Sequence, residues 1–326
     1  MAYRKRVEFC DYPPTRVWIE ASSDCNLQCS FCGNKQLTYG QRGFMDMDLY
    51  RRLADEASGK IRQFNLFHRG ESLLNPRIGE MIRYARERGI RTRIHTNGTL
   101  LTPSLARDLI ESRLGVLSIS FDGYDRETYE ANRANASFDQ VLGNITKFLE
   151  IKKSLGANEP FTALESMEIS NDSPEMNAGK RREFMSRFDG LPLDKFVIRK
   201  PHNWAGMIEI DSHGGGKSPK RIACPLLWHA LVVFWDGTTL PCPQDFFGSL
   251  EIGNVNEQSL DEIWNGEALR SLRREMADPS TLARKPCVDC DRITRATFAG
   301  VPTDYLGRFI SEHILGNSKL GKILPH

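Results

Sequence analysis

Short β-rich segments alternate with longer helical segments through the first two hundred residues of this chain, and this alternation constrains its fold most. The predicted strands are 17–20, 64–67, 91–95, 117–121, 163–169 and 196–199, and the predicted helices are 48–57, 78–88, 104–111, 138–153 and 174–188. Such an alternation predicts an α/β fold with a parallel sheet and helices packed outside it. Periodicity alone does not separate a barrel from a doubly wound sheet.

Composition and charge exclude several classes of protein. The 326 residues are enough for one large domain and a small one, and 40% hydrophobic with 26% charged residues is typical of globular proteins. A net charge of +2 gives no electrostatic reason to expect binding to nucleic acid. No apolar run approaches the roughly 18 residues of a membrane span, and the N-terminus is charged rather than apolar. We expect a cytoplasmic protein with no membrane span.

Eight cysteines in a chain of this kind indicate metal binding rather than disulfides. Cys25, Cys29 and Cys32 form a Cys-x3-Cys-x2-Cys motif directly after the first predicted strand. An iron–sulfur cube takes one thiolate on each of four irons, so three thiolates leave one iron open to a small molecule. Zinc or a disulfide is the alternative, but zinc needs four ligands, and no further Cys or His occurs before His68.

This motif, with the aromatic Phe31 before its third cysteine, resembles the signature of the radical S-adenosylmethionine (radical SAM) family. The resemblance implies a partial (β/α)6 TIM-like barrel and a [4Fe-4S] cluster whose open iron binds S-adenosyl-L-methionine. It also implies a 5′-deoxyadenosyl radical that abstracts hydrogen from a small polar substrate, with a flavodoxin- or ferredoxin-type protein as reductant. Active residues of such barrels lie at the C-terminal ends of the strands, where this motif occurs.

A second group of cysteines follows a glycine-rich stretch at 211–220. Its members are Cys224, Cys242, Cys287 and Cys290. Within it, residues 234–239 are typical of a β-hairpin that turns at Asp236-Gly237. The group resembles the auxiliary-cluster domains called SPASM and twitch, and four cysteines fit a twitch domain with one second [4Fe-4S] cluster. Such a closed cluster is implied to relay or accept electrons, whereas a structural zinc site is the alternative.

These segments together predict five regions. They are an N-terminal extension at 1–15, a radical SAM barrel at 16–210, a linker at 211–221, a small α+β auxiliary iron–sulfur domain with a β-hairpin at 222–292, and a helical tail at 293–326 packed on the barrel.

The resemblance also implies cofactor-binding residues at strand ends. Gly70 and Glu71 are similar to the family's Gly-Gly-Glu-Pro stretch, which faces the ammonium group of the cofactor, although the first glycine and the proline are replaced. Asn97 and Ser120 end the third and fourth predicted strands and are expected to bind cofactor or substrate. The alternatives are a solvated carboxylate for Glu71 and an ordinary Asn-Gly turn for Asn97.

Arg199 and Lys200 at the end of the sixth predicted strand are the candidate catalytic residues. They suggest a polar or anionic substrate, and Arg199 is a candidate proton acceptor if it is desolvated, although arginine resists deprotonation. A salt-bridged barrel rim is the alternative. Glu165 and Glu168 lie three residues apart on the fifth predicted strand, so at most one of them points into the barrel.

The cysteine count favours an oxidation. If a substrate radical loses an electron to the auxiliary cluster and a proton to a base, the result is a two-electron oxidation. Epimerisation usually needs a donor thiol, and the only cysteine left is Cys10, which as a lone cysteine is most often a core residue. We therefore predict an oxidoreductase acting on a polar alcohol carbon of the sugar or aminocyclitol type, as in antibiotic biosynthesis.

Three alternatives remain open. One is a radical epimerase or decarboxylase of a sugar or nucleoside. Another is a peptide- or protein-modifying enzyme, which is disfavoured because only about fifteen residues precede the first strand. The third is a non-catalytic iron–sulfur or zinc scaffold.

Overall fold

The structure, a computed structural model, describes residues 2–170, 172–199, 203–206, 221–294, 297–298 and 301–302. These residues form two compact units. The barrel unit contains the described residues from 19 to 199 together with 234–236, and the C-terminal unit contains 2–18 and the other described residues after 200. In the part of the chain that is described, every helix is too short or too polar to cross a membrane.

The secondary structure follows the predicted alternation. The strands are β1 (Arg16–Ile19), β2 (Gln63–Asn65), β3 (Arg91–Thr96), β4 (Val116–Ser120), β5 (Phe161–Met167), β6 (Lys195–Arg199), β7 (Ala230–Val233), β8 (Thr238–Leu240), β9 (Gly253–Asn254), β10 (Thr297–Phe298) and β11 (Val301–Pro302). The helices are α1 (Ala2–Lys5), α2 (Met47–Ala57), α3 (Ile78–Glu87), α4 (Pro103–Glu111), α5 (Arg126–Asn132), α6 (Phe138–Ser154), α7 (Pro174–Ser186), α8 (Leu260–Trp264) and α9 (Glu267–Ala277).

All six predicted strands and five predicted helices of the barrel are confirmed to within two residues at each end. The helix missed was α5, a seven-residue segment whose N-cap is Asp125. The strand order is β6-β5-β4-β3-β2-β1, and β2 to β6 pair in parallel. Because this order follows the sequence without the reversal of a doubly wound sheet, the α/β fold is a partial barrel.

The barrel strands present two chemically different faces. On one face Ile94, Ile119 and Leu164 are fully buried. A Cβ added to Gly98 would lie 3.2 Å from Ile119 Cγ2 and 3.1 Å from Val141 Cγ1 of α6, so this face packs against the helices. Alternate residues point to the opposite side of a sheet. The opposite face, here called the polar face, carries Arg93, His95, Ser118, Ser120, Glu165 and Arg199.

The C-terminal unit contains the predicted hairpin. Strand β8 pairs with β7 and β9 in antiparallel fashion, with Val233 opposite Thr239. Gly237 in the turn has φ = +91°, and a Cβ there would approach the Asn256 side chain to 2.3 Å, so glycine is required. This confirms the Asp-Gly turn.

Cys10 belongs to the core of the same unit. It is 2% exposed, its backbone N–H donates to Asn265 Oδ1 at 2.9 Å, and its carbonyl accepts from Asn265 Nδ2 at 2.9 Å. These contacts support a packing role.

Several predicted features lie outside the described residues. They are residues 211–220 of the predicted linker, most of the helical tail predicted at 293–326, and Lys200. Of the described part of the predicted tail, β10 and β11 form a short antiparallel pair.

Candidate active site

The first cysteine group lies in the loop after β1. Cys25, Cys29 and Cys32 are free and half-buried thiols. Burial raises the pKa of each thiol, to about 11 for Cys25, and negative charge on another member of the group adds to each rise. The three thiols are therefore close enough to affect one another electrostatically. Since a thiol loses its proton when it binds iron, metal binding here is coupled to proton release.

Asn34, two residues beyond the last of these cysteines, anchors their loop. Its side chain is buried, and Nδ2 donates to the carbonyls of Ser23 and Arg69 at 2.8 Å each. Its backbone N–H donates to Cys32 Sγ at 3.5 Å. Sequence analysis missed this residue because a polar residue in a loop carries no signal of a carbonyl partner 35 positions away.

Gly70 closes the site from the loop after β2. A Cβ at this position would lie 2.3 Å from the carbonyl oxygen of Asp24 and 2.5 Å from that of Ser22, both backbone atoms. The cysteine loop and the β2 loop thus approach too closely for any other residue. The backbone N–H of Glu71 donates to the Asp24 carbonyl at 2.7 Å, which holds the two loops together.

We expect Gly70→Ala to remove iron from the first site alone, because the added methyl group must displace the loop that carries the cysteines. The variant should retain about half of the iron of the parent, since each cluster holds four irons, and should make no 5′-deoxyadenosine. Iron analysis and chromatography of the reaction measure both quantities. Gly143→Ala is the matched control, because its Cβ would meet nothing within 4 Å. Full iron content in the Gly70 variant would contradict the expectation.

The carboxylate of Glu71 is 3% exposed, so the alternative of a solvated loop carboxylate is wrong. Its oxygens accept from Leu73 N at 3.0 Å, Thr96 Oγ1 at 2.7 Å and Asn97 N at 2.8 Å. Burial raises its pKa, although these donors oppose the rise. Glu71 thereby joins the end of β3 to the β2 loop, and its contact with the cofactor ammonium stays a prediction.

Asn97 connects this junction to the cysteines. Its Nδ2 lies 3.0 Å from Asn26 Oδ1 and 4.0 Å from Cys25 Sγ. The side-chain oxygen accepts from the backbone and hydroxyl of Thr99, as in an Asx turn. Both interpretations of the Asn-Gly pair therefore have a structural basis, and cofactor binding by Asn97 stays a prediction.

Cofactor binding by Phe31 and by Ser120 also stays a prediction. Phe31 is half-buried between the second and third cysteines. Ser120 Oγ shares a 2.5 Å hydrogen bond with His95 Nε2 on the polar face. His95 was not selected from the sequence, where a histidine near a strand end is not distinctive.

Glu165 lies at the centre of the polar face. Its carboxylate accepts from Arg93 Nη2 at 2.8 Å and from Arg199 Nε at 2.7 Å, and Arg93 Nη2 also donates to Ser118 Oγ. The Glu165 side chain is 4% exposed, whereas that of Arg199 is 40% exposed. Strands β3, β5 and β6 thus contribute to one charged cluster, in which Arg199 is more exposed than Arg93, whose side chain is 23% exposed.

Protonation states on the polar face follow from these neighbours. Burial alone would raise the pKa of Glu165, but the charge that His95 carries at low pH and the charges of Arg199 and Arg93 hold this pKa well below its usual range. Burial opposes the charge on Arg199, but Glu165 raises the pKa of that guanidinium above its usual value. Burial lowers the pKa of His95 to about 4, so its imidazole is neutral at pH 7. A guanidinium held in its charged form by Glu165 is a poor proton acceptor, which argues against that role for Arg199.

Glu168 belongs to different surroundings. It accepts from Tyr124 OH at 2.8 Å and from Arg181 Nη1 at 2.6 Å, away from the polar face. Of the two glutamates weighed in the sequence, Glu165 is therefore the one on the polar face.

The second cysteine group surrounds a single cavity in the C-terminal unit. Cys224, Cys242, Cys287 and Cys290 all line a space of about 420 Å³ that includes open solvent. A single zinc ion holds its sulfur ligands at about 2.3 Å from one point. Among the described residues, no three Cys, His, Asp or Glu side chains are grouped closely enough for one ion. A cluster is different, because each thiolate binds its own iron.

The surroundings of this cavity suit an iron–sulfur cluster. Burial raises the pKa of Cys224, Cys242 and Cys287, to about 12 for Cys224, and negative charge on other members of the group adds to each rise. The backbone N–H of Gln244 donates to Cys242 Sγ at 3.3 Å. Hydrogen bonds to sulfur and a positive charge such as Arg292, which also lines the cavity, favour the reduced form of a cluster.

Two family models match the segments that contain the two cysteine groups. Residues 19–156 match the family model described as Radical SAM superfamily, and residues 224–291 match the one described as Iron-sulfur cluster-binding domain, SPASM. The Fe-coproporphyrin III synthase of Methanosarcina barkeri is 32% identical over 94% of this chain and 86% of its own. The chain belongs to the radical SAM superfamily.

Two further relatives extend this assignment. The radical SAM chain is 24% identical to the S-adenosyl-L-methionine-dependent 2-deoxy-scyllo-inosamine dehydrogenase of Niallia circulans, over 86% of this chain and 94% of that protein. The solved structure of BtrN in complex with AdoMet and 2-DOIA superposes with a TM-score of 0.59 at 20% identity, over 87% of this chain and 95% of that chain. The latter likeness shows the shared fold, a TIM-like partial barrel followed by an auxiliary domain.

Proposed function

We propose that this radical SAM protein oxidises a polar substrate by two electrons, with a second [4Fe-4S] cluster as electron acceptor. The observation that carries the proposal is the single cavity lined by four cysteines in the C-terminal unit. Four thiolates leave no iron open for a substrate, so a cluster held there exchanges electrons rather than binding the reacting molecule.

The first site holds the groups that start the reaction. Cys25, Cys29 and Cys32 would hold the first cluster, with Gly70, Glu71 and Asn97 beside the cofactor. When bound, the cluster and S-adenosylmethionine supply a radical that removes one hydrogen atom from the substrate. A flavodoxin- or ferredoxin-type protein is the proposed source of the electron. The role of the chain is then to orient the substrate and to take up the proton that leaves with the second electron.

His95 is the proposed proton acceptor. Its imidazole is neutral at pH 7 because burial lowers its pKa to about 4, and it lies on the polar face beside Glu165 and Arg199. Ser120 Oγ, 2.5 Å from His95 Nε2, provides a path for the proton. Loss of a hydrogen atom, a proton and an electron from the substrate balances as a two-electron oxidation of an alcohol to a ketone.

Two observations support oxidation over epimerisation. Cys10 is the one cysteine outside both groups, and it is packed against Asn265 in the C-terminal unit with 2% exposure. The likeness to the inosamine dehydrogenase extends over 86% of this chain and supports an alcohol of the sugar or aminocyclitol type as substrate.

Cys290→Ala tests the acceptor role. We expect the variant to cleave S-adenosylmethionine at the parent rate and to form no oxidised product, because the second cluster lacks a ligand. Reconstituted enzyme is incubated anaerobically with reductant and a panel of polyols, aminocyclitols and sugar acids, and mass spectrometry detects the loss of two hydrogens. Cys10→Ala is the matched control, since it removes another buried thiol of the same unit.

The metal content of the parent protein separates the remaining alternatives. About eight irons per chain supports two clusters. About four irons with one zinc would remove the acceptor and favour redox-neutral radical chemistry. Full product formation by Cys290→Ala would show that the electron leaves by another route.

A second candidate function is a radical reaction on a carboxylate-bearing tetrapyrrole. It is supported by the 32% identity to the Fe-coproporphyrin III synthase over 94% of this chain and by the two arginines of the polar face. Iron coproporphyrin consumed with formation of 5′-deoxyadenosine, in the absence of polyol turnover, would place this function first.

A further inference from the structure

Two arginine side chains of the polar face bind the same carboxylate. Arg93 and Arg199 both donate to Glu165. The nearby Asp122 is bound elsewhere, because its Oδ2 accepts from both Nε and Nη2 of Arg133. A cationic group on a half-buried surface attracts a ligand of opposite sign.

Arg199 is the more exposed of these two arginines. Glu165 binds Nε of this guanidinium, and neither terminal nitrogen donates to any other residue that the structure describes. The side chain is 40% exposed, whereas Glu165 is 4% exposed. An immobile carboxylate at Nε holds the planar group in place and leaves its other donors for a second acceptor. Such a pre-oriented fork binds a planar carboxylate through two parallel hydrogen bonds.

We propose that Arg199 binds a carboxylate group of the substrate and that Glu165 orients it. This inference rests on the proposed function, because it names the substrate class of the same site. The substrate is accordingly a small polar acid, with its carboxylate at Arg199 and its oxidised carbon on the same polar face as His95.

The binding test uses a matched pair of probes, glutarate and glutaramide, which differ only in charge at their ends. Each is titrated by calorimetry into reconstituted enzyme with S-adenosylmethionine and no reductant, so that no turnover occurs. We expect glutarate to bind at least about tenfold more tightly than glutaramide, because a hydrogen bond between charged groups contributes more than a neutral one. Equal binding of the two probes would overturn the proposal.

Three variants locate the binding. Arg199→Gln should weaken glutarate binding by about tenfold or more and leave glutaramide unchanged, whereas Arg199→Lys should restore only part of it, since it keeps the charge without the fork. Arg181→Gln is the matched control, because it breaks the pair with Glu168 away from the polar face. An equal loss in the Arg181 variant, or none in Arg199→Gln, would contradict the assignment.

Two further measurements distinguish carboxylate binding at Arg199 from phosphate binding and from the proposed function. Inorganic phosphate that binds more tightly than glutarate would exclude a carboxylate as the preferred anion. Formation of 5′-deoxyadenosine is measured on the same preparations. If S-adenosylmethionine is cleaved normally and glutarate does not bind, carboxylate binding by Arg199 is wrong while the proposed function stands. Absence of cleavage in the parent enzyme would overturn the proposed function.

Discussion

Cys29→Ala is expected to reduce 5′-deoxyadenosine formation to the background of iron-free protein. Cys29 is the middle member of the three-thiol group, and a cluster with two thiolates loses both stability and the geometry of its open iron. The measurement is chromatography of the products after anaerobic incubation with reductant and S-adenosylmethionine.

The contrast with the second cysteine group makes this result specific. Cys290→Ala also removes one buried ligand thiol, but from a site expected to take no part in cleavage. Loss of cleavage in Cys29→Ala with retention in Cys290→Ala assigns the two groups their separate roles. Cleavage that persists in Cys29→Ala would refute radical chemistry at the first site and favour the scaffold alternative.

Arg69→Met is expected to cost about 3–5 kcal/mol of stability, the effect of leaving a buried charge without its partner. Arg69 Nε and Nη2 donate to the two oxygens of Glu20 at 2.6 and 2.7 Å, and the two side chains are 2% and 0% exposed. The guanidinium carbon also lies 3.5 Å from the ring centroid of Phe234, and Trp235 N–H donates to Glu20 Oε2 at 3.3 Å. The midpoint of urea unfolding of the anaerobic holoprotein measures the loss.

The pH dependence of this loss has a definite sign. Burial raises the pKa of Glu20, and Arg69 opposes that rise, so removal of the arginine raises the pKa further. A carboxyl group whose pKa is higher in the folded state loses stability as pH rises, because the unfolded state releases its proton first. The destabilisation by Arg69→Met should therefore be larger at pH 8 than at pH 5.

Two control variants accompany this measurement. Arg83→Met removes an arginine from an exposed pair with Asp108, where the expected loss is at most about 1 kcal/mol. The double variant Glu20→Leu with Arg69→Met should recover much of the loss, since two apolar side chains leave no buried charge. Equal effects of the Arg69 and Arg83 variants would show that the buried pair is not a main determinant of stability.

Local patterns in the sequence determined the elements of this fold. Short apolar runs and capped helices are consequences of neighbouring residues, so β1 to β6 were placed to within two residues. The spacing of Cys25, Cys29 and Cys32 places three candidate ligands in one loop, and the turn at Gly237 requires the positive φ of that residue. Each of these features depends on residues close together in the chain.

The tertiary structure alone decided which polar side chains meet. The ion pair of Glu20 with Arg69 spans 49 positions, and the contact of Arg93 with Glu165 spans 72. Whether Arg199 acts as a base or stays a charged guanidinium depends on its ion pair with Glu165. The sequence did not distinguish this glutamate from Glu168. The sequence shows the same residue type whether a carboxylate or guanidinium is solvated or lies in a buried ion pair. The charge, pKa and role of such a group are determined by partners that only the packing of distant strands brings within hydrogen-bond distance.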